Sequence, residues 1–309
     1  MSLLSVARAY YRRQARITRM AQEAARQVWR SVRPDDLDRS WARVADQMVV
    51  TVAGAQLLAA QGAEPYLDEM LTEQGADNDR QAAFQSRSLA GVASDGRRLD
   101  TLLLAPVVEV KMALSVPAAP PDVAMARGEA SLLRVVGTQV PDAGRVAVGV
   151  VIAATPSVTK WVRMLNPPSC GRCAILAGRV YRFNAGFERH PACDCIALPL
   201  SENVENDLTT SPRKYFDSLT RAEQNELFGK ARTQRILDGE DMNRVVNSGR
   251  RSTRTAGGRP KPARSAARTS SSRRTVRSAR ARRTPEQILE AAASREAAIE
   301  QLRRGGFLT

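Results

Sequence analysis

The chain has 309 residues, 43% of them hydrophobic, which is enough for a real core and excludes a chain that is disordered throughout. Aromatic residues make up only 5%, and the abundance of alanine and long unbranched side chains favours packed helices over β-sandwiches or barrels. Of the formal net charge of +15, 14 positive charges lie between Arg244 and Arg283, where there is no Asp or Glu. The rest of the chain is therefore close to neutral, and the basicity belongs to one segment.

The N-terminal residues interleave charged and apolar side chains, and they lack the continuous apolar core of a secretory signal. The longest apolar stretch, around residues 146–154, is about half the length that spans a bilayer. We therefore expect a protein that is made and kept in a cytoplasm, with no membrane association. Four cysteines within residues 170–195 of such a chain indicate a metal site rather than disulfides.

The first half of the chain is predicted to be helical. Apolar residues three or four apart predict an amphipathic helix over residues 3–32. Pro34 ends it, and Asp35 or Asp36 can cap a second helix that reaches about Gly62. Further helices are predicted, by spacing and by the prolines between them, at 65–73, 80–93, 98–114, 121–137, 142–154 and 157–165.

The second half alternates ordered and polar segments. Residues 179–183 alternate as a short strand would, and Thr220 with Glu223 forms a capping box for a helix that reaches about Leu237. Residues 248–283 contain a single apolar side chain of any size, Val276, so no core can form there and we expect disorder.

A second capping box, Thr284 with Gln287, begins a C-terminal amphipathic helix that closes at Gly305–Gly306. These elements predict a mainly α protein in four parts: a helical domain at 1–140, a small Cys/His α+β module with flanking helices at 141–247, a disordered Arg-rich linker at 248–283, and the C-terminal helix at 284–309.

The cysteines follow a metal-binding pattern: Cys170-x2-Cys173, sixteen residues, then His190-Pro-x-Cys193-x-Cys195. Cys-x2-Cys places two thiolates on one tight turn, and the second group supplies the rest of a tetrahedral shell. Five candidates compete for four places, so the fourth ligand, Cys193 or Cys195, stays open. Soft sulfur with or without one imidazole suits Zn²⁺ in a closed structural site. The alternatives are reduced cysteines in a packed turn with His190 hydrogen-bonded beside them, or a redox pair at Cys170 and Cys173.

The same stretch, CGRCAILAGRVYRFNAGFERHPACDCIALP, resembles the MuF-like minor head proteins of tailed bacteriophages. The resemblance rests on Cys-x2-Cys, Leu-x-Gly, an aromatic pair and His-Pro-x-Cys-x-Cys. The downstream element at residues 238–247 and the Arg-rich tail ending in Thr-Pro-Glu-Gln-Ile are similar to versions found in phages of actinobacteria. Residues 1–140 carry no motif that we can match.

The resemblance implies a minor capsid protein present in few copies near the portal, which assists head assembly or DNA delivery. It implies the portal, the major capsid protein or the scaffold as partners. It also implies a place in the capsid interior of the virion, after assembly in the host cytoplasm.

An enzyme is the competing hypothesis, because proteins of this layout are often labelled head maturation proteases. The chain has one histidine, His190, and it cannot serve as a general base if it binds metal. A Cys170/His190 dyad, a Ser–Lys protease and a catalytic zinc with Glu188 or Asp194 are the remaining catalytic arrangements. We assign no catalytic residues.

The basic segment is expected to bind double-stranded DNA without sequence preference, through its phosphates. The alternative is a solvated linker. The C-terminal helix is expected either to dock on a partner or to fold back on its own domain. The predicted nucleic-acid contacts are Arg250, Arg251, Arg254, Arg259, Lys261, Arg264, Arg268, Arg273, Arg274, Arg277, Arg280, Arg282 and Arg283.

Overall fold

The computed structural model describes residues 2–116, 119–187, 189–190, 193, 195–201, 211–248 and 282–309. Most of the described chain is helical, as the composition predicts. Its α-helices are α1 (Leu3–Trp29), α2 (Leu37–Ala60), α3 (Ala63–Gln74), α4 (Leu99–Leu102), α5 (Ala105–Leu114), α6 (Pro121–Ala154), α7 (Gly171–Ala174), α8 (Pro212–Asp217), α9 (Arg221–Phe228), α10 (Lys230–Leu237), α11 (Met242–Asn247), α12 (Pro285–Ala291) and α13 (Arg295–Arg304). Short 3-10 helices lie at Pro34–Asp36 and Ser86–Leu89.

A small antiparallel sheet carries the second half of the fold. Its strands are β1 (Val158–Met164), β2 (Val180–Arg182) and β3 (Ile196–Ser201), in the order β2-β1-β3. The prediction of a helix at 157–165 is wrong, because β1 occupies this segment. Its apolar residues are spaced so that they suit a buried strand as well as a helix, and pairing with the fully buried β3 selects the strand.

Helix α6 is the central element, since it packs against α1, α2, α3, α5, α12 and α13. The two helices predicted at 121–137 and 142–154 are one continuous helix that contains Pro141. It is long and apolar enough to cross a membrane by length and composition alone, but 72% of the relevant window is buried inside the fold. Nearly every residue from Asp142 to Ala154 is buried, as expected of a helix that is packed on all sides.

The helix predicted at 80–93 is absent from that described segment, which holds only the 3-10 turn. Its backbone pairs with the C-terminus instead: the Gln85 amide donates to the Phe307 carbonyl at 2.8 Å, and Phe84 forms a β-bridge with Leu308. A long-range contact has therefore replaced the local helical hydrogen bonds.

Three other predicted helices are each divided in two. The segment 98–114 splits into α4 and α5, and the helix after Thr220 breaks at Gly229, where φ is +85°. The C-terminal helix splits into α12 and α13. Both predicted capping boxes, at Thr220 and Thr284, are confirmed.

The buried side chains form three cores. The first joins α3, the second half of α6, the sheet and the C-terminal helices; the second joins α2, α5 and the first half of α6; the third lies among α7–α11. Helices α12 and α13 bury Ile288, Ile299 and Leu302 in the first core, followed by Phe307. The C-terminal segment thus folds back on its own chain. The boundary at residue 140 stays a prediction, and α6 passes through it unbroken.

The crossing of α6 with α1 and α5 depends on Gly128. A Cβ atom there would lie 2.6 Å from the Trp29 ring and closer still to the side chain of Val110. Gly128→Ala is expected to lower the free energy of unfolding by about 1–3 kcal/mol, because overpacking outweighs alanine's better helix propensity. Gly54→Ala is the matched control: nothing lies within 4 Å of its Cβ, so that variant should gain up to about 1 kcal/mol. Urea denaturation of both variants checks the prediction, and a stabilised Gly128 variant contradicts it.

Candidate metal centre

The first cysteine pair lies on a tight turn that is held from both sides. Helix α7 begins right after Cys170, and the Ala174 amide donates to the Cys170 carbonyl at 2.9 Å. The Tyr215 hydroxyl accepts from the Ser169 amide at 2.9 Å and donates to the Ser169 carbonyl at 3.1 Å. A Cβ at Gly171 would lie 3.0 Å from the Phe228 ring. The glycine between the cysteines therefore lets α9 approach the turn closely.

The second group of candidates lies on the segment that leads into β3. The Cys193 amide donates to the His190 carbonyl at 3.0 Å, which brings these two candidate ligands close together. Cys195 immediately precedes β3, so the strand's pairing with β1 fixes its position. The sheet thus delivers the second group of ligands to the first.

The five predicted ligands lie in two adjoining groups that share one cysteine. His190 Nε2 lies 3.1 Å from Cys170 Sγ and 3.2 Å from Cys173 Sγ, and Cys173 Sγ lies 3.6 Å from Cys193 Sγ. The edges of a tetrahedral zinc shell are about 3.8 Å between two sulfurs and about 3.6 Å between sulfur and nitrogen. Two groups could hold a metal ion, Cys170 with Cys173 and His190, and Cys173 with Cys193 and Cys195. Cys173 belongs to both.

Hydrogen bonds among the cysteines lower the pKa of Cys170 and of Cys193 and so favour their thiolate forms. Hydrogen bonding from Cys173 lowers the pKa of Cys170 to about 5, and the same donor, with Cys195, holds the pKa of Cys193 far below its ordinary value. The pKa of Cys173 is raised, because its proton is held by Cys170 and Cys193. The lowered pKa values of Cys170 and Cys193 favour the thiolate, which is the form that binds metal.

A buried network of charges fixes the second ligand segment to α6. The Arg145 guanidinium donates to the Cys195 carbonyl at 2.9 Å and also to the Cys193 carbonyl. It pairs with Asp142 at 2.9 Å, and Asp142 pairs with Arg189 at 2.9 Å. Arg189 in turn binds Glu286 of α12. Sequence reasoning missed these residues; the available signal was an Asp and an Arg three apart in the otherwise apolar second half of α6.

A second buried arginine lies under Cys195. Arg163 of β1 is 2% exposed, and hydrogen bonding and charge connect it to the Cys195 thiol. Its guanidinium lies 4.2 Å from the centre of the Phe187 ring, which stacks on Trp161 at 5.3 Å. A cation is thus placed beside the Cys195 thiol, so Cys195 has a partner whether or not it binds a metal ion.

One side of the cluster borders an open cleft of about 400 Å³. Cys170 and His190 line it, together with Arg172, Phe228 and Asn247. Cys170 is the partly exposed member of the four cysteines, and the other three are buried. A metal ion here would be reached through this cleft.

Most of the predicted DNA contacts, Arg250 to Arg280, lie outside the described residues. Arg282 and Arg283 lie inside them. Arg282 donates to the Ser88 carbonyl at 3.2 Å and stacks 4.0 Å over the Phe307 ring, and burial lowers its pKa. Arg283 is exposed and donates to the Gln287 carbonyl at 3.2 Å. These two arginines therefore also anchor the start of the C-terminal helices.

The profile of the VG15 protein family matches residues 2–222, well over half of the chain. The chain belongs to the VG15 family. VG15 is a family of viral, phage proteins, so the predicted phage origin is confirmed at that level and points to association with a virion. The match includes the whole Cys/His cluster and ends within α9. No curated protein and no solved structure matches the chain.

Proposed function

We propose that this VG15 protein is a MuF-like minor head protein of a tailed phage with an actinobacterial host. In this role it is a structural component that joins the portal, or the capsid or scaffold protein, during head assembly or genome delivery. The observation that supports the proposal is that the four cysteines and the histidine of the MuF-like signature form two adjoining groups, which share Cys173, in a phage-family protein.

The cluster in this proposal is a structural Zn²⁺ site whose ligands are Cys170, Cys173, His190 and Cys193. The donor set fits, since three thiolates and one imidazole are a common closed shell for zinc. Cys195 takes the outer place, because its thiol is hydrogen-bonded to the buried Arg163, whereas Cys193 Sγ lies 3.6 Å from Cys173 Sγ. Bound zinc would add folding free energy to a module whose sheet has three strands.

A head maturation protease is the alternative, and the partly exposed Cys170 thiol beside His190 and an open cleft is the observation that favours it. Substitution of His190 by cysteine separates the two roles, because a fourth thiolate still binds zinc but cannot act as a general base. We expect the His190→Cys variant to retain zinc, fold and support normal processing of the major capsid protein in infected cells. Lost processing with zinc and fold intact would identify the protease. His190→Ala is the matched control, which should lose zinc.

The DNA-binding role of the basic segment belongs to the same proposal. Deleting residues 250–280 removes 11 positive charges and no Asp or Glu, while it spares Arg282. We expect the deletion to remove most of the retention on duplex DNA at low salt, because each phosphate contact contributes about 0.9 to the slope of log affinity against log salt. A chain of equal length with glutamine in place of those 11 residues is the control for linker length. Unchanged retention in both contradicts the role.

A further inference from the structure

The first helix carries a row of arginines that its geometry gathers on one face. At 3.6 residues per turn, Arg8, Arg12, Arg16 and Arg19 fall within about 80° of one another around α1. The buried residues Ala7, Tyr10, Gln14 and Ala21 occupy the opposite face. All four arginines are exposed, and no Asp or Glu occurs before Glu23. We call these four residues the α1 stripe.

The positive charge of the α1 stripe is uncompensated. Within the described chain, none of its four guanidinium groups has a hydrogen bond or an ion pair. Exposed arginines elsewhere do pair with carboxylates, as in Arg33–Asp35, Arg98–Asp100, Arg213–Asp217 and Arg235–Glu240. The near-neutral total outside the basic segment therefore hides an uneven distribution, with a local excess of positive charge along α1.

We propose that the α1 stripe binds the phosphate backbone of double-stranded DNA, as a second contact in addition to the basic segment. The row spans about 16 Å, over which a duplex presents roughly five phosphates per strand. All four side chains are arginines, whose planar guanidinium groups match phosphate oxygens in pairs. This inference rests on the part of the proposed function that brings packaged DNA to the protein.

A membrane surface fits the stripe less well. Helices that lie on membranes insert an apolar face, and the apolar face of α1 is buried in the protein core. Met20 is the one large apolar side chain that is exposed on this fully described helix. Backbone phosphates need only a regular row of cations, which is what α1 offers.

The test compares two full-length variants of equal net charge. One replaces Arg8, Arg12, Arg16 and Arg19 by glutamine. The control replaces the four paired arginines Arg33, Arg98, Arg213 and Arg235 by glutamine. Binding to a 30-base-pair duplex of arbitrary sequence is followed by fluorescence anisotropy from about 50 to 200 mM salt, after circular dichroism shows that both variants are folded.

We expect the α1 variant to lower the slope of log affinity against log salt by about 3–4, and the control by less than about 1. Equal losses in both variants, or wild-type binding by the α1 variant, overturn the inference. So does tighter binding of the intact protein to phosphatidylserine vesicles or poly-glutamate than to the duplex. If the tail deletion loses DNA binding while the α1 variant keeps it, the inference about the α1 stripe is wrong and the proposed role of the basic segment stands. If the deletion retains DNA and the α1 variant loses it, the proposal for the tail fails alone.

Discussion

Replacing Cys173 by serine is expected to release the metal ion and to loosen the Cys/His module. Cys173 belongs to both candidate ligand groups, and its sulfur lies 3.2 Å from His190 Nε2 and 3.6 Å from Cys193 Sγ. A hydroxyl does not replace a thiolate on zinc, and the loss of even an outer-shell partner costs 10–100-fold in affinity. We therefore expect zinc affinity to fall by more than about 100-fold, with a lower melting temperature that added zinc does not restore.

Cys195→Ser is the matched control for this variant. Cys195 is as buried as Cys173, but its partner is Arg163, and a serine hydroxyl can keep that hydrogen bond. Elemental analysis of both purified proteins, with melting curves before and after a chelator, measures the difference. About one zinc ion per chain in the control and almost none in Cys173→Ser supports the proposed ligand set. If Cys195→Ser loses zinc and Cys193→Ser keeps it, Cys195 is the fourth ligand and Cys193 is not.

Local patterns predicted the parts of this protein whose determinants lie close together in the sequence. All five candidate ligands fall within residues 170–195, so their spacing indicated a common site before any fold was considered. The capping boxes at Thr220 and Thr284 depend on side chains three residues apart, and both formed. Helices α1, α2 and α3 follow from apolar spacing in the same way.

The predictions that were wrong or incomplete concern segments whose structure depends on residues far away in the sequence. The segment 80–93 abandons its helix because it pairs with residues 307–309, and β1 forms because β3 lies beside it. Arg145, 48 residues before Cys193, donates a hydrogen bond to its carbonyl and so supports the candidate metal centre. No short-range spacing encodes such contacts, so the sequence pattern indicated the candidate ligands but not the charged residues that hold their segment in place.

Removing the carboxylate of Asp142 is expected to have the largest effect on stability of any single change outside the cysteines. Asp142 and Arg145 have side chains that are 4% and 6% exposed, and Asp142 also pairs with Arg189. Asp142→Ala leaves Arg145 buried with no carboxylate partner among the described residues. Breaking a buried pair in this way costs about 3–5 kcal/mol, because the remaining charge stays desolvated. We expect a loss of that size in the free energy of unfolding, measured by urea denaturation.

Asp217→Ala is the matched control, since it breaks the Arg213–Asp217 pair, whose side chains are 54% and 51% exposed. Exposed pairs contribute about 0–1 kcal/mol, so this variant should differ little from the wild type.

The same buried network positions the Cys193 and Cys195 carbonyls, so Asp142→Ala should also weaken zinc binding, by about 10–100-fold as for other outer-shell partners. A loss below about 1 kcal/mol with zinc affinity unchanged would show that the network does not support the centre. A stability loss with unchanged zinc affinity would show instead that Arg145 holds α6 to the sheet and leaves the ligands in place.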